Sequence, residues 1–165
     1  MTTQPVGRMP PIVWDRMSDA QRAAVDDLAA GPRKGIKGSF IALLRSPELM
    51  WRLQRVGEFL GFQSSLPALV SEFASLVVSR QWTRQFEWST HVPLALNAGA
   101  ARETIDALRE GPRLTTMSSD EAVVYEFITE LTLNKGVSDS SYHECINRSE
   151  NKAWWIWSGS SAISH

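Results

Sequence analysis

A chain of 165 residues suffices for one domain that buries roughly two thirds of its unfolded surface. Seventeen basic and 18 acidic residues give a net charge of −1 and a pI near 6.3, without the basic excess of a nucleic-acid binder. The single cysteine, Cys145, excludes a Cys-x-x-Cys redox centre or a cysteine zinc site.

No apolar run approaches the roughly 20 residues that span a bilayer, and Met1–Arg16 is polar, with Pro5, Pro10 and Pro11 and no signal-peptide core. The expectation is a cytoplasmic, soluble protein. His91, His143 and His165 are scattered, and His-Glu-x-x-His, the phosphate loop and Gly-x-Gly-x-x-Gly are all absent. No cofactor and no metal are expected.

Residues 1–17 read as an extended lead-in. Ser18 then caps a helix through Gln21, Ala24, Val25 and Leu28, which Gly31 and Pro32 stop. Gly31–Gly38, carrying Arg33, Lys34 and Lys37, reads as a connector whose basic residues can also approach an anion. Phe40–Leu44 forms a short apolar helix. Ser46-Pro47-Glu48 is a helix start, with serine as cap and proline in the first position, and Leu49, Trp51, Leu53, Val56, Phe59 and Leu60 carry that helix to Gly61. A further helix begins after Pro67 and runs through Leu69, Phe73 and Val77 into Ser79–His91.

On one continuous helix through Ser79–His91, Arg80, Arg84, Glu87 and His91 fall on a single polar stripe. Val77, Val78, Trp82 and Phe86 point elsewhere and are available for burial. Pro93 lacks an amide donor and clashes with the Ser89 carbonyl, so the helix is expected to kink or stop near Val92. His91 would then lie by a helix end with unpaired carbonyls. A carboxylate and an imidazole one turn apart, backed by two guanidinium groups, suit acid–base chemistry on an anionic substrate. The same spacing also serves a solvated surface pair, worth a few tenths of a kcal/mol. Interleaved Trp82, Phe86 and Trp88 favour a cleft.

Gly99 caps the turns after Pro93, Ala101–Glu110 forms an amphipathic helix closed by Gly111, and Ser118 with Glu121 opens a helix to Asn134. One more helix begins at Val137–Asp139. With no strand alternation and no repeat, the fold class is all-α, a helical bundle with short loops.

Ser46-Pro-Glu-Leu, then Leu66-Pro, then Phe86-Glu-Trp-x-x-His91 with Pro-Leu-Ala-Leu-x-Ala-Gly99 occur here in order. Together they resemble the carboxymuconolactone decarboxylase family, in the alkylhydroperoxidase D-like superfamily, over about Gly31–Tyr142. The resemblance implies a helical bundle at residues 18–146 that forms homo-oligomers, with its site near subunit contacts. The peroxidase branch of that superfamily uses a Cys-x-x-Cys, which is missing. The implied function is a cofactor-independent carboxy-lyase acting on a small carboxylated lactone or a related intermediate of aromatic degradation. His91 would supply or relay a proton and Glu87 would orient it or serve as base. Arg80 and Arg84 would grip substrate carboxylates, and Trp88 would wall the pocket. Ser89 stands where relatives often carry tyrosine, so the substrate is expected to differ. The alternative is a non-catalytic helical oligomer or small-molecule binder on the same scaffold.

The tail departs from the family, whose members continue with a glycine-flanked apolar helix. Residues 147–165 instead place Trp154, Trp155 and Trp157 before a small polar run. Back-translated and read two nucleotides later, Trp154–Trp157 forces Val, Asp and then Leu or Met, letters that match the family helix. A frame change near Asn147–Asn151 is therefore expected, and this tail would then belong to an inactive or repurposed product.

Overall fold

The computed structural model describes residues 9–111 and 116–148. Among these residues it holds eight α-helices and no strand, the all-α class that the sequence predicts. They are α1 (Asp19–Ala30), α2 (Phe40–Leu43), α3 (Pro47–Glu58), α4 (Ala68–Gln81), α5 (Gln85–Asn97), α6 (Arg102–Glu110), α7 (Ser119–Asn134) and α8 (Asp139–Arg148). The chain divides into two compact units, residues 1–63 and 64–165. No helix among the described residues is long and apolar enough to cross a membrane.

The first unit centres on Ala24 and Leu28 of α1, Leu44 and Met50, with Ile12, Val25, Ile36 and Phe40 packed around them. Helix α1 opens with a full capping box: Ser18 Oγ accepts from the Gln21 amide and Gln21 returns a bond to the Ser18 amide. Helix α3 starts at Pro47 as expected, but Ser46 makes no side-chain cap. Proline itself satisfies that start, because it brings a preset φ and no amide to leave unpaired. Beyond Glu58 the helix widens into a π-turn, Phe59–Gln63.

The second unit holds the larger core. Phe73, Leu76 and Val77 of α4, Ala95 of α5, Ile105 and Leu108 of α6, and Val124 and Ile128 of α7 are buried together. Helix α7 has its own capping box, Ser118 with Glu121. Helix α6 ends at Gly111, whose φ of +83° is the left-handed conformation that favours glycine.

The sequence reading is corrected at the stretch it made central. Ser79–His91 is a corner between two helices and not one helix. Helix α4 ends at Gln81; the Thr83 amide donates to the Arg80 carbonyl at 3.3 Å and the Arg84 amide to the Ser79 carbonyl at 2.8 Å. This pair of bonds is the Schellman termination, with Thr83 in the left-handed position at φ +54°. A β-branched residue rarely adopts that conformation, so nothing in the local sequence announced it. The break also shifts the helical phase. Trp82 and Phe86, expected to be buried, remain 42% and 48% exposed, and the single polar stripe is divided.

The second correction concerns Pro93. Helix α5 runs through it to Asn97, so His91 lies inside the helix and not at an end. An interior proline costs about 3 kcal/mol. The burial of Ala95 and the packing of Val92 and Leu96 on the core offset that cost. The helix closes with a second Schellman pair, the Gly99 amide to Leu96 and the Ala100 amide to Ala95. The anomalous tail beyond Arg148 and the N-terminal residues 1–8 lie outside the described residues.

Candidate functional site

The Thr83 corner folds α5 back along α4, and this brings together a carboxylate and an imidazole that are distant in sequence. Glu72, in the first half of α4, places Oε2 2.7 Å from Nδ1 of His91. On the other side of the ring, Glu87 Oε2 lies 3.8 Å from Nε2. In the tautomer that carries its proton on Nδ1, His91 donates to the Glu72 carboxylate, which accepts. That contact fixes the ring and turns Nε2 toward Glu87.

The cluster is shielded but not sealed. The side chains of His91 and Glu72 are 25% and 18% exposed and that of Glu87 is 35% exposed. Glu87 also stands in the first turn of α5, where the helix dipole favours a negative charge.

Sequence reasoning paired His91 with Glu87 and missed Glu72, its closer partner. A signal was present: Glu72 is the one charged residue between Leu66 and Ser79, in an otherwise apolar helix. Such a carboxylate needs a partner when the helix packs.

The remaining predicted residues are placed as follows. Arg84 is the N-cap residue of α5, three positions before Glu87. Trp88 packs on the core of the second unit, and the Arg109 guanidinium lies over its ring at 5.7 Å, a cation–π contact. Arg80 turns away from the cluster; its Nε donates to the Arg109 carbonyl at 2.8 Å. Ser89 is exposed, and its hydroxyl donates to the Phe86 carbonyl at 2.8 Å. No group of three or more His, Cys, Asp or Glu fit to hold a metal occurs among the described residues. Cys145 is buried, and burial, with help from the charges of Glu144 and Glu130, pushes its thiol up to about 12. It is not a nucleophile at neutral pH.

Helices α4 and α5, side by side, carry a carboxylate–imidazole–carboxylate cluster among the described residues. Comparison with protein-family models matches residues 47–115 to the carboxymuconolactone decarboxylase family, to which this stretch is similar. The match runs from the start of α3 past the end of α6 and contains Glu72, Glu87 and His91. No curated protein and no solved structure matched the chain.

Proposed function

We propose that the protein is a cofactor-independent carboxy-lyase acting on a small carboxylated lactone or a related ring acid. The observation that carries this reading is the 2.7 Å contact between Glu72 and His91, inside the stretch that matches the carboxymuconolactone decarboxylase family. Decarboxylation breaks the bond between ring and carboxylate, releases carbon dioxide, and leaves the electron pair in the unsaturated ring system. A proton must then reach the ring carbon. His91 Nε2 supplies it, and Glu72 holds the ring and stabilises the imidazolium before transfer. Glu87 returns a proton to Nε2 from solvent. Arg84, at the positive end of α5, meets the substrate carboxylate. Trp88, held by Arg109, gives the site a rigid wall.

Self-association belongs to the same reading. Leu49, Val56 and Phe59 in the first unit and Phe86 and Leu94 in the second are each at least 40% exposed. Apolar surface of this kind suits a subunit contact, and a second copy would close the site on its open side.

One observation favours the alternative, a binding protein without turnover on the same scaffold. The Ser89 hydroxyl spends its proton on its own helix and has no donor left for a substrate. Carbon dioxide release from carboxymuconolactone by the full chain separates the two. His91→Ala is expected to lower turnover by roughly a hundredfold or more. Tight binding of the lactone with no release by the unaltered chain would establish the alternative.

A further inference from the structure

Arg80 turns away from the acid–base cluster, and its partner gives it another task. Helix α6 ends at Glu110, and the last four carbonyls of a helix lack an intrahelical donor. The Gly111 amide takes the carbonyl of Ala107, and Arg80 Nε takes that of Arg109 at 2.8 Å. A guanidinium there also meets the negative end of the helix dipole. Arg80 thereby ties the last turn of α6 to the last turn of α4.

From that turn the Arg109 side chain crosses to α5. Its guanidinium lies 5.7 Å from the centre of the Trp88 ring, with Asp106 Oδ1 3.7 Å from Nη1. Trp88 follows Glu87 directly, stands one turn before His91, and packs on the core of the second unit. Among the described residues, α5 makes polar or charged side-chain contact with another helix through His91, to Glu72, and through Trp88, to Arg109. The Glu72–His91 contact depends on how far α5 is turned about its own axis. Side chains reach roughly 5–6 Å from a helix axis, so a turn of about ten degrees carries the imidazole about 1 Å. An added ångström takes a 2.7 Å contact beyond good hydrogen-bond geometry.

We propose that Arg80 and Arg109 are positioning residues of the site: through Trp88 they set the rotation of α5, and so the contact of His91 with Glu72. Arg80 fixes the backbone from which Arg109 extends. Arg109 in turn fixes the ring one turn before His91. This rests on the Glu72–His91 pair as the working centre of the proposed function, and it gives Arg80 a part that involves no touch on substrate.

The test reads the imidazole nitrogen signals of His91 by NMR in the full chain, with circular dichroism to report folding. Arg109→Leu keeps the carbonyl that Arg80 needs and removes the cation, and it should shift the Nδ1 signal away from its hydrogen-bonded position. Arg109→Lys keeps a cation for the ring and should restore most of that position, a rescue that helix packing alone does not predict. In a Trp88→Leu background, Arg109→Leu should move nothing further. Arg80→Gln should shift the signal in the same direction by less. Turnover should follow these shifts, with losses of roughly two- to fivefold, the size of an exposed cation–π contact. Unmoved His91 signals in a folded Arg109→Leu would overturn the proposal. So would a lysine variant no better than leucine, or shifts that add in the Trp88→Leu background. The lyase reading fails separately, if the unaltered chain releases no carbon dioxide while the shifts occur as expected.

Discussion

Glu72 and His91 stand 19 residues apart in the chain and 2.7 Å apart in space, joined because the corner at Thr83 lays α5 along α4. Glu72 therefore acts on the imidazole from Nδ1, while Glu87 faces Nε2 at 3.8 Å. The two carboxylates are not equivalent, and their substitutions should not be either.

Glu72→Gln keeps a group of the same size beside Nδ1 but removes the charge that stabilises an imidazolium. Turnover should fall by roughly a hundredfold, with helical content unchanged by circular dichroism. Glu87→Gln, which acts at longer range and in contact with solvent, should cost less, on the order of tenfold. Equal losses in the two variants would show that the Nδ1 contact has no special weight.

Thr83 adopts φ +54°, which costs a residue with a Cβ about 1–2 kcal/mol. Thr83→Gly removes that strain and adds unfolded-chain entropy of about 0.5–1 kcal/mol. A net stabilisation of roughly 0.5–1 kcal/mol is expected in urea unfolding, with no change in the dependence on urea. Destabilisation by this change would contradict the corner.

Cys145 has its thiol raised to about 12 by burial. In the folded protein at pH 8 it should stay inert to a thiol-specific disulfide reagent and react stoichiometrically once the chain is unfolded. Rapid reaction under native conditions would place this thiol at the surface.

Glu130 caps α8 from a distance. Its carboxylate accepts from the Ser138 amide at 2.7 Å and from the Ser141 hydroxyl at 2.8 Å. The Ser138 amide, and then the Ser141 hydroxyl, hold its pKa below the ordinary 4.5. A carboxylate lowered on folding contributes stability above its unfolded pKa, and the contribution is lost as pH falls through the lowered value. Protection of the Ser138 amide, taken relative to the unstructured exchange rate at the same pH, should therefore fall as pH drops below about 4.5 in the native chain. In Glu130→Gln the amide should exchange faster from the start, without that pH step.

Much of this fold is legible in the sequence because its signals are local. Ser18 with Gln21 and Ser118 with Glu121 are capping boxes four residues long, and Gly99 and Gly111 terminate their helices in left-handed backbone. The central corner is different. Ser79–Trp88 contains no glycine or proline, and threonine in the left-handed position is rare, so the local pattern read as continuous helix. Pro93 misled in the other direction: local sterics call for a break, while burial of Ala95 carries the helix onward. The site was half legible for the same reason. Glu87 and His91 are neighbours on one helix, whereas Glu72 reaches His91 only through the fold.

The most direct measurement is a double-mutant cycle on turnover of carboxymuconolactone, using Glu72→Gln, His91→Ala and the two combined. If Glu72 acts through the imidazole, the double variant is no slower than His91→Ala alone, as for groups that work as a unit. If the two losses multiply, Glu72 and His91 act independently and the account of their pairing is wrong.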